Sequence, residues 1–194
     1  MAAPSLILAS RSPRRRELLT GVGLTFTLAS PDIDERVKKN EAPRAYVLRL
    51  AREKASAVHA SDDATVLAAD TAVVVDGKIL GKPRDRADAT RMIKLLSGRT
   101  HDVFTGVAVR RGKKLVADVA RTRVTFRKLT PREITWYVRL PEPYDKAGGY
   151  AIQGAAGGFI TRIAGSASNV IGLPLHTALE LLARVGHPLA WSAP

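Results

Sequence analysis

Asp70 stands in the middle of an otherwise apolar run, Val66-Leu67-Ala68-Ala69-Asp70-Thr71-Ala72-Val73-Val74-Val75. A carboxylate taken out of water costs several kcal/mol unless it is paired, hydrogen-bonded or bound to a metal, so this one must face a cation or a cleft. Two readings are open: a structural ion pair with a nearby lysine, or a catalytic base or metal ligand. Gly81-Lys82-Pro83 follows on what reads as a returning strand, which would deliver Lys82 beside the carboxylate. Lys54 shares a helical face with Tyr46, Val47, Leu50 and Val58, where an ammonium is out of place unless it borders a cleft or snorkels to its edge. Glu35, in a polar loop with Asp32 and Asp34, offers a second carboxylate. Mg2+ takes few protein carboxylates and completes its shell with phosphate oxygens, so Asp70 and Glu35 would be enough to hold it.

A second cluster lies near the N-terminus, where Ser5 to Ala9 reads as a short buried strand running into Ser10-Arg11-Ser12-Pro13-Arg14-Arg15-Arg16. Ser12 suits an N-cap and Pro13 the first helical position, so a helix is predicted to begin here with its free N–H groups outward. The helix dipole repels cations at that end, so arginines stacked in the first turn make sense when a strong anion comes to them; a phosphate chain is the natural candidate. The plainer alternative is a capped surface helix with solvated arginines.

The elements that must hold these groups alternate between strand and helix. A helix from Pro13 stops near Gly21 or Gly23, Thr25 to Leu28 is a candidate strand, and a second helix starts at Pro43. Val66 to Val75 reads as a long strand turning at Asp76-Gly77 into Lys78 to Leu80. Ala89, Met92, Ile93 and Leu96 mark a helix that Gly98 ends. His101 to Val109, Lys113 to Val119 and Arg121 to Phe126 read as three successive antiparallel strands. Thr130-Pro131 with Glu133 forms a capping box, and Pro141 and Pro143 end the helix it starts. Phe159 to Ile163 and Asn169 to Ile171 are candidate short strands before a last helix around Leu175 to Leu182. A mixed α/β domain results.

The bulk properties narrow the function classes. The 194 residues, 45% hydrophobic, can bury a full core as one domain. There is no cysteine, which excludes disulfides and thiolate chemistry, and no run of membrane-spanning length or targeting segment, so a cytoplasmic location is expected. The net charge of +13 calls for a polyanionic partner. Nucleic acid fits it poorly: the basic residues are spread along the chain, aromatics are only 5%, and no helix-turn-helix, zinc-finger or stacking signature is present. Nucleotide phosphates explain the charge at least as well. The histidines are too scattered for a zinc site.

Seven segments follow one another in order: Leu8 to Arg15, Leu50-Ala51-Arg52-Glu53-Lys54-Ala55, Ala68-Ala69-Asp70-Thr71, Lys82-Pro83, Leu96 to His101, Asp145 to Gly154 and Gly172-Leu173-Pro174-Leu175. By these the chain resembles the Maf family of nucleoside triphosphate pyrophosphatases, also called septum formation inhibitors after an effect on cell division. The resemblance implies one Maf/ITPase-like unit over residues 1–194, an elongated mixed β-sheet with flanking helices and two lobes around a deep cleft, often dimeric. It also implies metal-dependent cleavage of a nucleoside triphosphate into monophosphate and pyrophosphate, with Mg2+ and, as alternatives, Mn2+ or Co2+. By this resemblance Asp70 is the general base, and Glu35, Lys54 and Lys82 lie near metal and triphosphate. Ser10 falls at the phosphate-binding turn with Arg15 beside it, and Arg14, Thr71 and Gln153 match positions tied to substrate choice.

Two branches of the family differ at Gln153. Glutamine stands there in the branch resembling pyrimidine enzymes and an acid in the branch taking 7-methyl-GTP. The physics agrees: a cationic methylated guanine favours a carboxylate, whereas a neutral uracil or thymine imide suits an amide that both donates and accepts. dTTP and UTP are therefore the expected substrates, with modified pyrimidine triphosphates included because their imide face is unchanged. Gly81, where an acid is common, and Ala164-Gly165-Ser166, in place of an Asn-Gly-Ser turn, depart from the usual pattern. The alternatives are a 7-methyl-GTP enzyme, a basic nucleic-acid-binding module, or a division regulator acting through partner contacts.

Overall fold

The computed structural model describes residues 5–189. In chain order it contains β1 (Leu6–Ala9), α1 (Pro13–Gly21), β2 (Thr27–Ala29), α2 (Pro43–Ala57), β3 (Thr65–Val75), β4 (Lys78–Leu80), α3 (Arg86–Leu96), β5 (Thr100–Arg111), β6 (Lys114–Phe126), α4 (Pro131–Tyr137), β7 (Ile160–Ala164), α5 (Ala167–Ile171) and α6 (Leu175–Arg184). Short 3-10 turns at Glu142–Asp145, Ala147–Gly149 and Ala155–Phe159 fill the stretch between α4 and β7. The strands form one mixed sheet in the order β2-β1-β3-β5-β6-β7, with β4 paired to β3. β1 runs parallel to β2 and β3, and every other pairing is antiparallel.

β3 organises the site because successive side chains of a strand point to opposite faces. Val66 and Ala68 join Ala51 and Ala55 of α2 in one apolar cluster, and Ala72 and Val74 join Val47 in another. On the other face Leu67 and Ala69 pack with Leu19 of α1 and Leu181 and Leu182 of α6, whereas Val73 and Val75 pack with α3 and α4. Both faces thus change cluster at Asp70-Thr71, the two polar positions of the strand. The apolar packing parts at that level, and the cleft opens there.

Gly106 sets how closely α2 can lie on this sheet. It pairs in register with Asp70, and a Cβ built on it would sit 2.2 Å from the Val47 carbonyl oxygen. The α2 backbone therefore rests directly on β5, and Lys54, about two turns beyond Val47 on the same face, comes over Asp70. Gly106→Ala is expected to cost about 3 kcal/mol, since backbone rather than a pliable side chain must give way. A thermal melt should show a fall of roughly 6–12 °C. A melting temperature within measurement error of the parent would contradict this packing.

Local signals explain most elements. Asp76 and Gly77 both take left-handed φ, 51° and 73°, as a tight hairpin between β3 and β4 requires. Thr130 and Glu133 complete their reciprocal capping box, while α4 itself ends at Tyr137, before Pro141 is reached. β2 lies one to two residues later than expected.

Three expectations are corrected. Lys113 to Val119 and Arg121 to Phe126 are not two strands but the single β6, because Arg121 and Arg123 point to solvent while Thr122 and Val124 point inward, preserving the alternation. Asn169 to Ile171 is not a strand but the end of α5: the Ser166 hydroxyl caps the Asn169 N–H at 3.2 Å, and Gly172, at φ 126°, stops the helix. Ser12 occupies the N-cap of α1, but its side chain makes no capping bond.

Candidate functional site

Asp70 is 8% exposed, and its Oδ1 accepts a hydrogen bond of 2.6 Å from Lys54 Nζ. The same ammonium lies 2.7 Å from Glu35 Oε1, so one lysine bridges two carboxylates. Asp70 is thus paired with a lysine, one of the two readings open for it, and the pair lines an open cleft. Burial is the largest influence on Asp70 and raises its pKa, against the opposing charges of Lys54 and Arg15. Burial pushes Glu35 the same way, but its hydrogen bond to Lys54 and the charges of Lys54, Lys82 and Arg15 outweigh that and hold it low. Two neighbouring carboxylates driven in opposite directions is the arrangement that separates a proton acceptor from a permanent anion. The Tyr46 hydroxyl of α2 donates to the Glu35 carbonyl at 3.0 Å and fixes the loop that carries it.

Lys82 does not sit on Asp70 as its place in the chain implied. β4 ends at Leu80, and Lys82 stands exposed on the cleft wall with no hydrogen bond or ion pair among the described residues. An unpaired cation there remains available to an incoming anion.

The arginines of α1 divide by helical phase. Arg16 is exposed, and Arg14 reaches toward Asp145 at 4.0 Å. Arg15 turns inward and donates to the Gly172 carbonyl at 2.7 Å, to Ser10 Oγ at 3.2 Å and to Thr71 Oγ1 at 3.1 Å. Its burial lowers its pKa below the usual arginine value. Thr71 in turn meets Thr105 Oγ1 at 2.9 Å, and Thr105 donates to the Asn169 carbonyl at 3.1 Å, which orders the hydroxyls as a chain from guanidinium to backbone oxygen. Arg15 thereby ties α1, β3, β5 and the end of α5 together beneath the cleft. Ser10 Oγ also accepts the Ser12 N–H at 3.2 Å, which holds the turn leading into α1.

Ser10, Arg14, Arg15, Glu35, Lys54, Asp70, Thr71, Lys82 and Gln153 all line one cleft of about 800 Å3. That size suits a nucleotide, and cations outnumber acids along its wall. Gln153 is exposed on the loop after the second 3-10 turn, and among the described residues its amide has no hydrogen-bond partner. For a divalent cation, Asp70 and Glu35 supply hard oxygen donors with phosphate oxygens to complete the shell, which fits Mg2+. Among the described residues no cluster of three His, Cys, Asp or Glu could hold a metal unaided. His101 lies apart from this donor set, buried against Tyr150 with its pKa lowered to about 4 by desolvation.

Sequence reasoning missed Gly106, Thr105 and Asn169. A lone glycine inside an apolar strand was the available sign of close backbone approach for the first; nothing local marks the other two. Asn169 is wholly buried, its amide donating to the Val103 carbonyl at 3.0 Å and Thr122 Oγ1 at 2.9 Å.

Comparison with known proteins bears on the whole chain. The dTTP/UTP pyrophosphatase of Anaeromyxobacter dehalogenans (strain 2CP-C) is 56% identical over 197 aligned positions, covering 99% of this chain and 100% of that protein. The dTTP/UTP pyrophosphatase of Myxococcus xanthus (strain DK1622) is 53% identical over 189, covering 97% and 96%. Among solved structures, the Staphylococcus aureus Ham1 protein overlaps 93% of this chain and 97% of its own at 10% identity with a TM-score of 0.48, too low to carry weight. The family model described as Maf-like protein matches residues 5–185. With that match spanning every described helix and strand and relatives above half identity end to end, the chain belongs to the Maf-like family.

Proposed function

We propose that this protein is a nucleoside triphosphate pyrophosphatase that hydrolyses dTTP and UTP to the monophosphate and pyrophosphate. The observation that carries the reading is the Glu35–Lys54–Asp70 bridge on the floor of a cation-walled cleft. The names and full-length identity of the relatives support the same reaction and the same bases. Asp70 takes the proton of a water that attacks the α-phosphorus; the new P–O bond forms as the bond to the bridging oxygen breaks and pyrophosphate leaves. Lys54, Lys82 and the α1 N-terminus offset the negative charge gathering on the leaving group, and Arg15 holds the phosphate-facing turn at Ser10. Asp70 and Glu35 would hold the Mg2+, Mn2+ or Co2+ ion, which when bound neutralises part of the triphosphate charge. Gln153 donates to and accepts from the pyrimidine imide, with Arg14 and Thr71 also placed on the cleft wall. Among the described residues no helix is long and apolar enough to cross a membrane.

The test is pyrophosphate release with Mg2+ from dTTP, UTP, CTP, GTP, ATP and 7-methyl-GTP. Turnover concentrated on dTTP and UTP is expected. Gln153→Glu should lower kcat/KM for both by roughly 10- to 100-fold, by placing an acceptor against imide carbonyls, and should raise the relative rate on 7-methyl-GTP. An unchanged substrate order in this variant would remove Gln153 from base selection.

A further inference from the structure

Glu142, at the start of the first 3-10 turn, has no ion-pair partner among the described residues. Its carboxylate is held by neutral donors instead. Oε1 accepts from the Tyr137 hydroxyl at 2.9 Å and from the N–H groups of Ala151 and Ala156, each at 3.3 Å; Oε2 accepts the Ala155 N–H at 2.7 Å. Those amides lie on both sides of Gln153, so a single carboxylate suspends the loop from its two ends. Gly154 completes the fit. A Cβ there would lie 2.2 Å from Glu142 Oε2, although the backbone at φ −111° would accept any residue.

An exposed amide can discriminate between bases only when the backbone beneath it is fixed, because displacement by about 1 Å forfeits the geometry of its hydrogen bonds. Among the described residues the Gln153 side chain has no hydrogen bond of its own to fix it. We infer that Glu142 is the positioning residue for base selection, setting where Gln153 stands and acting on the substrate only through it. The inference rests on Gln153 reading the base, as proposed above. Asp70, Lys54 and Glu35 sit on β3, α2 and the loop before α2, and none of them bonds to Glu142. Loss of the carboxylate should therefore fall on recognition more than on bond cleavage.

The experiment measures kcat and KM for UTP and CTP in the parent, Glu142→Gln, Gln153→Ala and the double variant. Glu142→Gln turns a donor toward backbone N–H groups and is expected to raise KM for UTP about tenfold, with kcat within about twofold and the preference for UTP over CTP reduced. The double variant should show no less preference than Gln153→Ala alone. An unchanged preference, an equal loss on both nucleotides, or losses that multiply in the double variant would overturn the inference. If Gln153→Ala itself leaves the preference intact, the reading of Gln153 fails first and this inference with it. Gly154→Ala tests the same contact from an exposed loop in case Glu142→Gln does not fold: it should also reduce the preference, and parental preference in that variant would count against Glu142.

Discussion

Asp70→Asn is expected to lower kcat by about 10²–10⁴-fold, with KM changed little and the fold intact. The amide keeps the shape and can still meet Lys54, but it cannot take up a proton. Because burial raises the Asp70 pKa, the folded protein binds that proton more tightly than the unfolded chain, and ionising it costs stability at pH values above the raised pKa. The neutral asparagine removes that cost. Its melting temperature at neutral pH should therefore equal or exceed the parent's, and a fall of many degrees would mean the carboxylate is structural. The same shift sets the pH dependence. A base acts when deprotonated, so kcat/KM should hold at higher pH and fall as pH drops through a pKa above the ordinary aspartate range.

Lys54→Met should damage both activity and stability. It removes the ammonium that lies 2.6 Å from Asp70 and 2.7 Å from Glu35, leaving two carboxylates facing each other in a cleft floor. Loss of a charge-stabilising donor costs about 10²–10³-fold in kcat. Stranding the buried Asp70 costs about 2–3 kcal/mol at neutral pH, short of a fully interior pair because Glu35 is largely exposed to water. A melt should fall by roughly 4–12 °C. Without the cation both carboxylates bind protons more readily, so the stability deficit should shrink as pH falls through their raised pKa values. A deficit independent of pH would show that lost packing of the lysine stem dominates.

These two side chains were legible because each breaks a pattern. Asp70 interrupts an apolar strand, and Lys54 interrupts the apolar face of a helix; burying either needs the other. What misled was distance along the chain. The Asp76-Gly77 hairpin brings Lys82 back toward Asp70, but Leu80 pairs with Val73 and the strand ends there, before the lysine can reach the carboxylate. The phase of α1 was equally hidden: nothing distinguishes Arg15 from Arg14 or Arg16 until the helix is docked on β1 and the Gly172 carbonyl is in reach. Val170 and Ile171 carry a strand signature, yet Ser166 caps a helix there and the Asn169 amide finds partners on β5 and β6. Such long-range satisfaction of a polar group leaves no local trace. The β3–β4 hairpin and the α4 cap were readable because each rests on turn and cap residues adjacent in sequence.

The central claim is that this cleft directs water at the α-phosphorus. Hydrolysis of dTTP with Mg2+ in 18O-water, followed by 31P NMR, tests it most directly. The expected products are dTMP carrying the label and unlabelled pyrophosphate. Labelled pyrophosphate, the appearance of dTDP with inorganic phosphate, or no turnover of any triphosphate would contradict it.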